Sequence, residues 1–353
     1  MQLLKKTKPL VGLDIGSSSI KAVELAKSKQ GYELTGFATE PLGVESVVDG
    51  AIADNRMESV AESIKRVLTH GKFKSKGVAT GISGHSVIVK RVVLLAATKE
   101  EVAACIHFDA EPYIPFEISE VNLDYEVVGP THTESDEPAM EVLLVVAKKD
   151  KIQNYTNVIT LAGRYAEVVD IDAFALQNTF EANYTVEPNE TVALLNIGAS
   201  LMNINITKAG MPLFIRDVSV GGNQYTDILQ KELSLSFKEA EDLKLGNTAG
   251  AEVDIMAALL ESITEMLIME VHKTFDFFRE TYPTESISRI LISGGTSHFA
   301  GLSEKIQEVF GYPTDILDPF KAINIGASVD ETRLKAAGPA LAVAVGLALR
   351  GVE

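Results

Sequence analysis

Two stretches of the chain carry the same interruption. LVGLDIGSSSIKAVEL at 10–25 and VALLNIGASLMNINITK at 192–208 each run an apolar strand into a tight turn of glycine and hydroxyl residues, then resume as an alternating strand. Leu13-Asp14-Ile15-Gly16-Ser17-Ser18 and Leu195-Asn196-Ile197-Gly198-Ala199-Ser200 correspond with a constant offset of 182 residues, and a further strand follows each after a Lys/Gly turn. A surface hairpin with a capping Asp accounts for either stretch alone but not for the repeat. Asp14 ends an apolar strand, where its charge is costly unless a cation or donors meet it. Gly16 lets the backbone approach something bulky, and Ser17, Ser18 and Ser19 add hydroxyls and main-chain N–H groups. That set suits a phosphate and its magnesium. Two such halves facing each other can grip a phosphate chain from both sides. A third turn, Ser293-Gly294-Gly295-Thr296 in SRILISGGTSHFAGL, joins a buried strand to a helix near 300–310 and gathers free N–H groups at one point.

Composition narrows the partners. A net charge of −17 argues against nucleic acid, which needs a basic face, and against broad contact with an anionic membrane surface. The single cysteine, Cys105, leaves no internal disulfide and fits a reducing compartment. The start MQLLKKTKPL lacks the apolar core of a signal peptide, so its lysines read as a solvated leader. No apolar run reaches bilayer length, and ALAVAVGLAL at 340–349 reads as a buried core helix. Histidines 70, 85, 107, 132, 272 and 298 lack ligand spacing, so no zinc site is expected.

With 353 residues, two or more folding units are expected. Strands at 10–15, 19–26 and 32–39 form a meander. A helix at 56–71 places Val60, Ile64, Val67 and Leu68 on one stripe, and GVATGIS is a buried strand. The region 87–170 reads strand–helix–strand–strand–helix–strand: a helix of 98–112 opened by a Thr98/Glu101 capping box, an exposed acidic loop GPTHTESDEP, and a helix capped by Asp150 and running through Gly163. It interrupts the first sheet and is taken as an inserted subdomain. After the second meander a Gly-Gly turn leads a helix, and Ser236 caps another that ends near Gly246. A long helix over 252–281 carries Met256, Leu260, Ile263, Leu267, Val271, Phe275 and Phe278 as core. The division is a first lobe (9–88, 165–189 and 337–353), an insert (89–164), a second lobe (190–226 and 286–336) and a helical subdomain (227–285).

The order and spacing of the three turns resemble the actin-like nucleotide-binding superfamily, which includes actin, sugar kinases and DnaK-type chaperones. VVDIDAFALQNTFEAN and PALAVAVGLALRG look like its two connecting helices. Within it, GLDIGSSSIKAVEL, PYIPFEISEVNLDYEVVG and LISGGTSHFAGL resemble the PilM family of type IV pilus assembly, relatives of the cell-division protein FtsA, over nearly the whole chain. The resemblance implies an α/β fold: an actin-like (ribonuclease H-like), duplicated, two-lobe architecture with an inserted α+β (SHS2-type) subdomain.

It also implies an ATP-binding, cytoplasmic adaptor of twitching motility, peripheral on the inner membrane through its partner and with no span of its own. Its partner would be the N-terminal tail of PilN, alongside other alignment-complex proteins and pilus motor components, with self-association in a ring. Carried over by position, Asp14 would orient hydrated Mg2+. Gly16, Ser17, Ser18 and Lys21 would line the β- and γ-phosphates, with Asn196, Gly198 and Ser200 facing them and Gly221, Gly222 and Asn223 as a further loop. AEDLK gives Glu241 and Lys244 for the ribose, and Gly294, Gly295 and Thr296 would lie against adenosine.

The second turn usually begins with Asp. Asn196 adds no charge and cannot act as a base, so binding follows more securely than hydrolysis, which is at most slow. The acid near the first connecting helix is Asp170 or Asp172. EPYIPFEISEVNLDY combines Tyr113, Phe116, Ile118 and Val121 with two prolines that interrupt helix, which predicts an apolar groove wall between the insert and the first lobe for the tail. Two alternatives stay open: an FtsA-like filament scaffold and a small-molecule kinase of the same fold.

Overall fold

The computed structural model describes residues 9–28, 31–133, 135–244 and 253–352. The chain opens with β1 (Val11–Ile15), β2 (Ser19–Ser28), β3 (Gly31–Pro41), the short β4 (Val47–Val48) and β5 (Ala51–Ile52), α1 (Met57–His70) and β6 (Gly77–Ile82). There follow β7 (Val87–Leu94), α2 (Lys99–Asp109), β8 (Val121–His132), β9 (Pro138–Lys148), α3 (Lys149–Leu161), β10 (Tyr165–Ile171) and α4 (Asp172–Asn183). The second half holds β11 (Thr191–Ile197), β12 (Met202–Lys208), β13 (Met211–Val218), α5 (Asn223–Leu233), α6 (Phe237–Lys244), α7 (Val253–Thr281), β14 (Ile287–Ser293), α8 (Leu302–Phe310), β15 (Thr314–Ile316), β16 (Asn324–Ile325), α9 (Glu331–Ala337) and α10 (Ala342–Leu349).

The duplication is complete at the level of topology. One sheet runs β3-β2-β1-β6-β10, with β16 added outside β3, and the other runs β13-β12-β11-β14-β15. In each, the first strand is antiparallel to the second and parallel to the fourth. Even the turn bonds repeat at the same offset: Gly16 N donates to Ser19 O at 3.2 Å, and Gly198 N to Leu201 O at 2.9 Å.

α4 and α10 form the joint between the lobes. All eight residues of α10 are buried, which its uniformly apolar sequence requires. Glycines permit the close approaches there: a Cβ at Gly346 would lie 1.7 Å from Ala175 O, and one at Gly12 would lie 2.1 Å from Ala344 O. The segment Glu331–Leu349 does have the length and hydropathy of a membrane span, contrary to the reading that no run reaches it, but 61% of that window is buried inside the fold.

The insert departs from the sequence boundaries. Its own sheet is β7-β9-β8, packed on α2 through Val92, Val102, Ile106, Val142 and Val146. α3, grouped with the insert on sequence, instead sends Tyr155, Val158 and Ile159 into the first-lobe core beside Ile64 and Val67 of α1. Lys148, not Asp150, occupies its N-cap, and the Asp150 carboxylate accepts from Lys151 N at 2.6 Å. The acidic loop is shorter than expected, because the ladder continues to Thr131–Ala139 and His132–Pro138. Other local expectations appear directly: Thr98 Oγ1 accepts from Glu101 N at 3.2 Å, and Ser236 Oγ accepts from Glu239 N at 3.3 Å. On α7, Leu267, Val271, Phe275 and Phe278 are buried as core. The side chain of Met256, the helix end near Gly246 and the N-terminal lysines lie outside the described residues.

Candidate functional site

A cleft of about 1250 Å³ opens between the lobes. β1 and β11 end at its floor because each apolar strand breaks at its glycine. Asp14, Gly16, Ser17, Ser18 and Lys21 line one wall, and Asn196, Gly198, Ser200, Gly222 and Asn223 line the other. Glu241, Lys244, Gly294, Gly295 and Thr296 line it further out. Of the sequence-derived set only Gly221 is missing from the lining. Its backbone packs beneath the turn, where a Cβ would sit 2.4 Å from Gly198 O.

The turns hold one another. Gly198 O accepts from Gly222 N and from Thr296 Oγ1, both at 2.9 Å, and Ala199 O accepts from Asn223 N at 2.7 Å. Ser17 Oγ and Ser200 Oγ hydrogen-bond across the cleft, so the two phosphate-type turns touch tip to tip. Lys21 Nζ pairs with Asp14 Oδ2 at 3.1 Å, and both side chains are largely shielded from solvent. The Asp14 charge is thereby met by a cation, as its place at a strand end demands. Glu241 bonds Thr226 and Lys244, and Lys244 Nζ also donates to Thr226 Oγ1 at 2.9 Å. Beyond them the lining turns apolar with Phe237, Leu243, Leu260 and Phe299.

Between the two acids left open, the structure separates the roles. Asp172, at the start of α4, lines the cleft, and its Oδ2 accepts from Ser83 Oγ at 2.5 Å. Asp170 points away toward Arg350 Nε at 3.4 Å. Burial, reinforced by the Asp14 charge, pushes the Asp172 carboxyl up to about 7. Between its ordinary value of 3.8 and about 7, the folded chain holds a proton that the unfolded chain releases. Stability attributable to this group is therefore full at acid pH, falls as pH rises through that window, and levels off above it. Asp172→Asn is expected to flatten that slope, matching the wild type near pH 3 and exceeding it by a growing margin up to pH 8 in urea unfolding. A variant less stable than wild type at pH 8 would contradict the assignment.

Sequence reasoning missed a polar belt on the cleft floor. Asn196 Nδ2 donates to Asn203 Oδ1 and Asn203 Nδ2 to Asp217 Oδ1, both at 2.8 Å. The signal was present in MNINITK, where two asparagines occupy alternate positions of a buried strand, which an apolar core would not place there.

On the insert, Tyr113, Phe116 and Ile118 lean on the subdomain core from outside and remain partly exposed. Lys90 Nζ lies 5.4 Å from the Tyr113 ring centroid and Lys148 Nζ lies 4.7 Å from that of Phe116. Val121 is different: it is only 5% exposed and fills the subdomain core itself, so it does not form the surface on which the sequence reading placed it.

The profile of the family described as type IV pilus assembly protein PilM matches residues 12–352. The chain belongs to this PilM family. A solved PilM-PilN type IV pilus biogenesis complex is similar at 26% identity and TM-score 0.85, covering 98% of this chain and 99% of that one. Two further structures share the fold at 14% identity. Ethanolamine utilization protein EutJ from Carboxydothermus hydrogenoformans has TM-score 0.56, covering 96% of this chain and 89% of that one. MreB 5 of Spiroplasma citri bound to AMPPNP has TM-score 0.53, covering 97% and 96%. The family's actin-like two-lobe fold is thus the fold of this chain, and it is a PilM-type pilus assembly protein.

Proposed function

We propose that the chain binds MgATP between its lobes and, through the insert, holds the N-terminal cytoplasmic tail of PilN, as a cytoplasmic adaptor on the inner-membrane face. The observation that carries the nucleotide half is one cleft lined by the glycine turns of both lobes, Gly16, Ser17 and Ser18 from the first and Gly198, Gly222 and Gly294 from the second, with Ser17 and Ser200 hydrogen-bonded to each other. A bound Mg2+ would neutralise phosphate charge, with Asp14 as its anchor through water. Glu241 and Lys244 would contact the ribose, and Gly294, Gly295 and Thr296 would lie against the adenosine; all five line the cleft. Asn196 supplies no base, so turnover is at most slow. Contacts with other alignment-complex and motor proteins, ring self-association and a part in twitching motility belong to the same reading.

For the tail, support comes from the likeness to the PilM-PilN complex over nearly the whole chain and from the partly exposed apolar residues beside two prolines. An extended aliphatic segment fits such a wall, giving up about 2–5 kcal/mol of gross interaction energy to ordering. Calorimetry with a synthetic tail peptide tests it. Phe116→Ala or Ile118→Asp is expected to weaken the peptide about tenfold or more while MgATP still raises the melting temperature. Unchanged peptide affinity in both folded variants would remove the proposed wall.

A further inference from the structure

Large apolar side chains scattered singly over a surface need no explanation. Val44, Val48 and Phe237 are not scattered: they are 54%, 49% and 37% exposed, and all three line the cleft between the lobes. Lining the cleft while open to solvent, they form its rim. They also come from opposite walls. Val44 and Val48 belong to the first lobe, on the stretch that leads from β3 into the β4–β5 hairpin, and Phe237 opens α6.

Both walls are firmly held. In the first, Leu42 N donates to Ser18 O at 2.8 Å, so the stretch leaves directly from the first glycine turn. The hairpin turns on Asp49 and Gly50, with φ +48° and +70°, the left-handed pair that a two-residue turn of this kind requires. Val47 and Ile52 beneath it are each 3% exposed and pack in the first-lobe core. Tyr155 Oη donates to Gly50 O at 2.9 Å, and a Cβ at Gly50 would lie 2.7 Å from Ser83 O. Val48 is therefore carried on a fixed shelf. In the second wall, Lys244 Nζ donates to Gly222 O at 3.3 Å and to Thr226 Oγ1 at 2.9 Å, which ties α6 to the turn beside Gly198. Neither apolar edge folds down onto its own wall, so approach of the opposite wall is what takes it out of water.

The floor already joins the lobes through Ser17 and Ser200, which leaves the rim as the part that narrows. We propose that Val44 and Val48 meet Phe237 when the lobes close on a bound nucleotide, forming an apolar latch that slows its release. This rests on the nucleotide site proposed above. The effect falls on the rate of leaving, because the contact forms only after the ligand is inside.

The test compares the full wild-type chain with Val44→Ser plus Val48→Ser, with Phe237→Ser, and with all three changes together. A ribose-labelled fluorescent MgATP is loaded and chased with excess unlabelled MgATP in a stopped flow, and unlabelled MgATP is titrated by calorimetry. Release should be about tenfold faster in the valine variant and in Phe237→Ser, the scale of partly burying such side chains. Affinity for unlabelled MgATP should fall by the same factor. The triple variant should release no more than about twofold faster than either, because the same contact is broken in each. Without nucleotide the valine variant should melt as the wild type does, since both side chains are exposed. Wild-type release from the valine variant, effects that multiply in the triple variant, or a lowered melting temperature without nucleotide would overturn the latch while leaving the nucleotide site standing. A wild type that takes up neither labelled nor unlabelled MgATP would overturn the nucleotide reading, and the latch with it.

Discussion

Gly346→Val is expected to leave no cooperatively folded protein, and Gly346→Ala to cost at least about 3 kcal/mol. Overpacked cores commonly lose about 1–3 kcal/mol, because displaced side chains find other rotamers. No such relief exists here. The nearest atoms to a Cβ at 346 are the Ala175 carbonyl oxygen at 1.7 Å and its carbon at 2.4 Å, both backbone. α10 and α4 would have to separate at the joint that carries both lobes, and β1 is packed on the same helix through Gly12. Gly338 offers the contrast: a Cβ there meets nothing within 4 Å, so Gly338→Ala should stay within about 0.5 kcal/mol of wild type. Urea unfolding distinguishes the two, and a wild-type transition in Gly346→Val would show that the helices do not cross as described.

What the sequence made legible was whatever depends on local pattern. The offset of 182 between Gly16 and Gly198 gave the duplication, and the two sheets then repeat the same strand order. α7 was visible because its apolar stripe follows helical spacing, and the glycine turns because a strand that stops on Asp-Ile-Gly has few bland explanations. Contacts made at long range were not visible. α3 follows the insert in the chain, and nothing in its own residues says that Tyr155 and Val158 pack on α1 rather than on β9. Val121 and Ile118 look alike in sequence, yet the ladder pairs Val121 with Lys148 and turns it inward. The choice between Asp170 and Asp172 was likewise undecidable, since it depends on which carboxylate follows the strand into the cleft. The belt from Asn196 to Asp217 joins residues of three strands, and only their register brings the side chains into line.

The two glycines of the third turn are expected to fail in different ways. Gly294 has φ +86°, and a Cβ there would lie 2.4 Å from Ile197 O, so Gly294→Val should damage the fold itself. Gly295 borders the cleft, and a Cβ there meets nothing within 4 Å. Gly295→Val should therefore fold with a wild-type melting temperature while its side chain occupies space required by the base, weakening MgATP about a hundredfold or more. A ligand that binds only the native state stabilises it by about 2.7 kcal/mol at a hundredfold excess over Kd. The decisive measurement is a calorimetric titration of MgATP into nucleotide-stripped wild type and Gly295→Val, with melting curves of both. One saturable site per chain is expected in the wild type, with a rise in melting temperature on binding, and neither in the variant. No heat and no thermal shift in the wild type at millimolar MgATP, or equal binding by both proteins, would contradict a nucleotide held between the lobes.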